Sequence, residues 1–208
     1  MELSGIKNII FDLGGVLLNI DPRRTIDAFA RLGMPQFIND RGSSYAHDVF
    51  LRMEQGQISS DEFRSGINQL LPQKATDDQL DAAWTAMILD FPAIRIKILR
   101  KLATEFGIYL FSNTNEIHIR HFHRKFKQEH GLDFPTLFQK DFYSHEIGIR
   151  KPAPESFFKV LSEANLIARE TLFIDDSEEN IHGAAQTGLQ TFWLKPGMTL
   201  EEVFKYDF

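Results

Sequence analysis

Asp12 follows the apolar run Ile6-Lys7-Asn8-Ile9-Ile10-Phe11 and precedes Leu13-Gly14-Gly15-Val16-Leu17. A carboxylate at the tip of a buried strand, backed by two glycines, suits a nucleophile facing a small anionic group. The glycines let backbone N–H groups approach that group closely. Three further segments carry polar groups of distinct kinds. Tyr109-Leu110-Phe111 runs into Ser112-Asn113-Thr114-Asn115, whose hydroxyl and amide groups can donate to phosphate oxygens. Gly148-Ile149-Arg150 leads to Lys151, a point charge fixed before Pro152 and suited to an anion. Phe173-Ile174 ends on Asp175-Asp176-Ser177. If these tips converge, Asp12, Asp175 and Asp176 stand together, and three like charges repel unless a cation joins them. An all-oxygen site with few protein ligands fits Mg²⁺. A carboxylate nucleophile, a hard metal, Ser/Asn donors and a lysine make a phosphoryl-transfer site, where positioning and charge neutralisation carry the chemistry.

The elements that must position these groups are legible as short apolar runs. Ile6–Phe11, Ile108–Phe111 and Leu172–Ile174 read as buried strands, with Thr191–Leu194 and the weaker Phe142–Ser144 beside them. Helical patterns separate them: Ile94–Phe106, closed by Gly107, then Pro154–Asn165, and Glu178–Thr187, closed by Gly188. Strands alternating with helices predict an α/β fold, a parallel sheet covered on both faces, with ligands bound outside the carboxyl ends of the strands. From about Asp21 to Phe91 no strand is evident. Asp21-Pro22 caps one helix that Gly33 closes, and capping boxes at Ser59/Glu62 and Thr76/Gln79 start two more. A helical insert directly after the Asp12 strand would lie over the strand tip as a lid.

Composition narrows the classes. The chain has 208 residues, 43% hydrophobic and 25% charged, which is enough for one sizeable core with a small attached domain and argues against disorder. A net charge of −6 argues against nucleic-acid binding. The absence of cysteine excludes disulfides and thiol chemistry. No signal peptide is apparent at the N-terminus, and Ile6–Ile20 is too short and too polar to span a bilayer, so a cytoplasmic protein without membrane contact is expected. His118, His121 and His123 fall in a basic helical stretch and read as a solvated face. The 19 phenylalanines read mostly as core, with Phe50 and Trp84 as candidates for ligand contact.

The four signatures, Phe11-Asp12-Leu13-Gly14-Gly15-Val16-Leu17, Phe111-Ser112-Asn113-Thr114, Arg150-Lys151-Pro152 and Ile174-Asp175-Asp176-Ser177, resemble those of the haloacid dehalogenase-like (HAD) hydrolase superfamily, in the same order and over nearly the whole length. Met53-Glu54-Gln55-Gly56-Gln57-Ile58-Ser59 is similar to a cap stretch of the sugar-1-phosphate phosphatase and epoxide-hydrolase N-terminal phosphatase branch. The resemblance implies a Rossmann-like catalytic core from residues 1–18 and 92–208, with residues 19–91 as a helical cap. It implies that Asp12 attacks phosphorus to form an aspartyl-phosphate and that Ser112 binds a phosphoryl oxygen, with Asn113 backbone support. Lys151 would hold both nucleophile and phosphate. Asp12, the Gly14 carbonyl and Asp176 would hold Mg²⁺, with Asp175 on the metal or its water and Asn180 steadying the loop. The partner would be a small phosphorylated metabolite, and the protein a monomer or homodimer.

Gly14 departs from the pattern. Most family phosphatases carry a second Asp there, which protonates the leaving oxygen and then activates water. Its loss removes an acid–base factor of roughly 10² to 10⁴ in rate. Three explanations follow: a good leaving group such as an anomeric sugar phosphate, a substitute group such as Asp21 or His47, or a phosphate-ligand-binding homologue with vestigial turnover. Dehalogenases of the superfamily also lack this Asp, but they need neither metal nor an acidic pair, so Asp175-Asp176 favours phosphorus.

Overall fold

The computed structural model describes residues 3–34 and 45–204. In chain order its elements begin with β1 (Asn8–Phe11), α1 (Pro22–Arg31), α2 (Asp48–Glu54), α3 (Ser60–Leu70) and α4 (Asp77–Thr85). There follow α5 (Ala93–Leu102), β2 (Gly107–Ser112), α6 (Glu116–His130), β3 (Lys140–Tyr143) and α7 (Ser144–Ile147). The chain continues through α8 (Pro154–Glu163), β4 (Thr171–Asp175), α9 (Glu178–Ala185), β5 (Gln190–Trp193) and α10 (Leu200–Val203). Two short 3₁₀ turns, Phe134–Leu137 and Ala168–Glu170, lead into β3 and β4.

All strand pairings are parallel, in the order β3-β2-β1-β4-β5. The apolar runs are uninterrupted because both faces are covered, yet successive side chains still alternate between them. Ile9, Phe11, Ile108, Leu110, Leu172 and Ile174 pack with α5, α6 and α10. Ile10, Tyr109, Phe111 and Phe173 pack on the other face with α8 and α9. The chain winds outward from β1 to β2 and β3, then returns to place β4 on the other side of β1. This reversal opens a crevice at the carboxyl ends of β1 and β4, the position at which such sheets bind ligands. Phe11 pairs with Leu110 on one side and Ile174 on the other, so Asp12, Phe111-Ser112 and Asp175 arrive at the same level.

The helix through residue 106 is a correction. α5 ends at Leu102, where the Thr104 hydroxyl donates to the Lys101 carbonyl and competes with the helical ladder. Gly107 is not its cap. It opens β2, where a Cβ would collide with the Asn8 side chain.

Helices α1 to α4 form the insert, and the capping signals act as the sequence predicts. Asp21 caps α1 ahead of Pro22, and both capping boxes close reciprocally. Phe29, Phe50, Phe63, Leu80 and Trp84 fill a separate apolar cluster, to which α6 contributes Ile117. α6 therefore lies between insert and sheet: its Phe122 and Phe126 belong to the sheet's cluster. This placement corrects the solvated reading of His118, which is buried, stacks on Trp84 at 4.5 Å and lies 2.9 Å from the Trp84 carbonyl. Desolvation pushes its imidazole down to about 4. The two linkers that join insert to core pair with each other, through Asn19 N–H to the Asp90 carbonyl, Leu89 N–H to Asn19, and Asp21 N–H to Met87. Among the described residues no helix is long and apolar enough to cross a membrane.

Candidate active site

Lys151 is the hub of the crevice. Its ammonium is 2% exposed and lies 2.7 Å from Asp12 Oδ1, 2.7 Å from Asp175 Oδ2 and 3.0 Å from the Phe111 carbonyl. The Phe111 and Phe173 rings flank it, each centroid 5.3 Å away. Burial alone would lower this ammonium, but Asp12 and Asp175 outweigh it and hold the group above its ordinary value. The backbone of Lys151 is clamped as firmly as its side chain. Asn113 Nδ2 donates to the Lys151 carbonyl and Lys151 N–H donates to Asn113 Oδ1, both at 2.9 Å. The Asn113 side-chain amide is thus engaged with the lysine loop rather than free to donate to a phosphate, which leaves the backbone support expected of Asn113 untouched.

Asp175 is fully buried at the end of β4. Besides Lys151 it accepts from Ser177 N–H at 2.8 Å, and Asn180 Nδ2 lies 3.0 and 3.1 Å from its two oxygens. Asn180 reaches back because Ser177 caps α9 and sets it one turn into the helix. Asp176 is the exposed member. Its carboxyl is pushed up to about 6, first by limited hydration and then by Asp175. Asp12 is pushed further, to about 7. Burial is the main cause and Lys151 opposes it, while Asp175 and Asp176 add repulsion.

Carboxylate oxygens of Asp12, Asp175 and Asp176 all lie within 4.8 Å of one another, the single such cluster among the described residues. One lysine cannot balance three carboxylates, and the repulsion among them adds to the burial that raises Asp12 and Asp176. A hard divalent cation suits this set: the donors are all oxygen, and Asp12 and Asp176 retain free lone pairs. Gly15 makes the approach possible. It adopts φ +75°, and a Cβ there would collide with the Asp176 carboxylate. Gly15→Ala is therefore expected to destabilise the fold by about 1–2 kcal/mol, read as a lowered Tm. An unchanged Tm would refute this role. At Gly14 the backbone is ordinary, and a Cβ would meet the Ile20 side chain, whose Cδ1 methyl is nearest at 3.0 Å.

A cavity of about 160 Å³ adjoins this cluster. Gly14, Ser112 and Thr114 form its core side, and Tyr45, Glu54 and Met87 from the insert form its roof. A larger cleft, about 550 Å³, runs between α4 and α6 past Asp81 and Arg120, but no strand-tip residue lines it. The structure does not bring Asp21 or His47 to the site. Asp21 caps α1 and pairs with Arg24, and His47 precedes α2 on a different cavity, beside Asp48 and Arg52. Phe50 and Trp84 are fully buried in the insert's interior rather than exposed to a ligand. Glu54 entered the sequence reading only as part of the Met53–Ser59 cap stretch, with no role of its own, and Tyr45 did not enter it. The available signal was an acidic residue four positions after Phe50, on the apolar face of α2.

Comparison with known proteins agrees with this geometry. A family model described as haloacid dehalogenase-like hydrolase matches residues 6–188. D-ribitol-5-phosphate phosphatase of Bacteroides thetaiotaomicron is 30% identical over 187 residues, covering 90% of this chain and 91% of that one. A sesquiterpene phosphatase of Aspergillus oryzae is 28% identical over 183 residues, 88% and 87% of the two chains. A HAD family enzyme from B. thetaiotaomicron, solved in complex with magnesium and inorganic phosphate, superposes with a TM-score of 0.86 at 36% identity, over 96% and 99% of the two chains. The chain belongs to the haloacid dehalogenase-like hydrolases.

Proposed function

We propose that this chain is a Mg²⁺-dependent phosphatase that hydrolyses a small phosphomonoester of the sugar-phosphate kind through an aspartyl-phosphate at Asp12. Residues 1–18 and 92–208 form its catalytic core and residues 19–91 its cap. The observation that carries the reading is the Lys151 ammonium held 2.7 Å from both Asp12 and Asp175, with Asp176 alongside.

Lys151 fixes the Asp12 rotamer through Oδ1, and Ser112 donates to a phosphoryl oxygen. An Asp12 oxygen forms a bond to phosphorus as the bond from phosphorus to the leaving alcohol breaks. The alkoxide takes its proton from water, since position 14 offers none. A second water then attacks phosphorus, frees inorganic phosphate and restores the Asp12 carboxylate. Asp12, Asp176 and the Gly14 carbonyl, with Asp175 on the metal or its water, would hold Mg²⁺, which would supply neutralisation of the charge on the phosphoryl group. Asn113 and Asn180 act through others: one clamps the Lys151 loop, the other orients Asp175.

The ribitol 5-phosphate named for one relative is a primary ester with a poor leaving group. It draws the reading from anomeric sugar 1-phosphates towards primary esters of a small sugar or polyol. The acidic pair sets this reading ahead of dehalogenation. Phosphate release from a panel of two- to six-carbon phosphomonoesters, with Mg²⁺ and with EDTA, tests it. Release that requires Mg²⁺ is expected, and no release from any member would overturn it.

Gly14 supports a second reading, a phosphate-ligand-binding homologue with vestigial turnover. A Cβ at Gly14 would press on the Ile20 side chain at 3.0 Å, and the two readings separate on wild-type turnover. A competent phosphatase turns over its preferred ester at about 1 s⁻¹ or faster, whereas saturable binding of the ester with negligible release would mark the binding homologue. Gly14→Asp is expected to raise kcat in either case, by up to about 10².

A further inference from the structure

Glu54 is a carboxylate that the mechanism above does not use. It is 5% exposed, on the face of α2 that also buries Val49, Phe50 and Met53. A buried carboxylate is costly unless partnered. Its Oε1 accepts from the Tyr45 hydroxyl at 2.8 Å. Its Oε2 lies 2.8 Å from Arg150 Nε, yet neither atom makes an aligned hydrogen bond. The ion pair therefore closes off Oε2, which has no open surface, while Oε1 keeps a second lone pair beside the Tyr45 hydroxyl for a further donor. Arg150 adjoins the Lys151 hub in the chain, so the pair ties the roof of the cavity to the catalytic loop.

Glu54 and Gly14 line the same cavity. Gly14, Ser112 and Thr114 mark the end where a phosphoryl group on Asp12 would present its leaving group, and Met87 and Ile88 supply apolar wall. The volume, about 160 Å³, is close to that of a cavity that holds one benzene, about 150 Å³. It suits a leaving group of five or six carbons. An acceptor carboxylate in such a space meets hydroxyl hydrogens well and repels a second anionic group.

We propose that Glu54, positioned by Tyr45 and Arg150, is the specificity residue that accepts hydrogen bonds from the leaving group's hydroxyls, which makes the substrate a phosphate monoester of a short, uncharged polyhydroxylated chain. This rests on the phosphatase reading above. A site built to accept from hydroxyls discriminates strongly against an analogue that lacks them, because its buried polar atoms are then left unpaired.

The test compares kcat/KM for ribitol 5-phosphate and n-pentyl phosphate, equal in carbon count and differing only in hydroxyls. Wild type is expected to prefer the polyol ester by at least about 10²-fold. Glu54→Gln is expected to cut that preference by at least about tenfold, chiefly through loss on the polyol ester. Tyr45→Phe, the milder change, is expected to move the ratio the same way by a smaller factor. An equal fall on both esters in both variants would overturn the proposal and leave Glu54 as a strut between α2 and the Lys151 loop. A wild-type preference for the pentyl ester would overturn it as well. Hydrolysis of neither ester by wild type, with no activity across the wider panel, would instead bring down the phosphatase reading on which the proposal rests.

Discussion

Asp12→Asn is expected to abolish phosphate release, with kcat lowered by at least about 10⁴-fold, because loss of a covalent nucleophile removes the whole two-step route. The same substitution is expected to stabilise the metal-free protein at neutral pH. The Asp12 carboxyl ionises near 3.8 when unfolded and at about 7 when folded, burial being the main cause. The folded state therefore binds more protons across that window, and its stability falls as pH rises through it. Asn carries no titrating group and removes this contribution. Tm measured in EDTA at pH 5 and pH 8 should fall less for the variant than for wild type. A variant that kept wild-type turnover would remove Asp12 from the mechanism. Unchanged pH dependence would mean that burial does not hold the Asp12 carboxyl up.

The second large effect is structural. Lys151→Met keeps the length of the side chain and takes away a cation that Asp12 and Asp175 share. Breaking a buried pair by deleting one partner costs about 3–5 kcal/mol, since the charge left behind stays uncompensated. Urea denaturation in EDTA should show a loss of that order, and turnover should vanish with it. Lys151→Met combined with Asp12→Asn should recover part of the stability, because the two groups are in contact and their effects are coupled. A single-variant loss below about 1 kcal/mol would mean that the ammonium is not what holds the carboxylates together.

The strand tips were legible because their chemistry is local. An uninterrupted apolar run followed by Asp12, Ser112 or Asp175 states both the strand and the group it delivers. The caps of α1, α3 and α4 were legible for the same reason: Asp21, Ser59 and Thr76 act on amides within three residues. What stayed hidden depends on contacts distant in sequence. Asn113 and Lys151 lie 38 positions apart, so nothing in Ser112-Asn113-Thr114 announces that the amide is a clamp. His118 looked solvated beside Arg120 and Lys125. Only the packing of α6 under the insert buries it against Trp84. Glu54 belongs to the same class. Its meaning comes from Tyr45 and Arg150 and from a cavity that no single segment encloses.

Under the proposed function, a covalent step at Asp12 precedes a slow release, since Gly14 leaves the water without a neighbouring base. Rapid mixing of the Mg²⁺-loaded enzyme with ³²P-labelled ribitol 5-phosphate, followed by an acid quench, tests it directly. The account predicts protein-bound label that appears before steady state, is removed by hydroxylamine as an acyl phosphate is, and is missing from Asp12→Asn. Steady release of phosphate with no label on the protein at any time would contradict it.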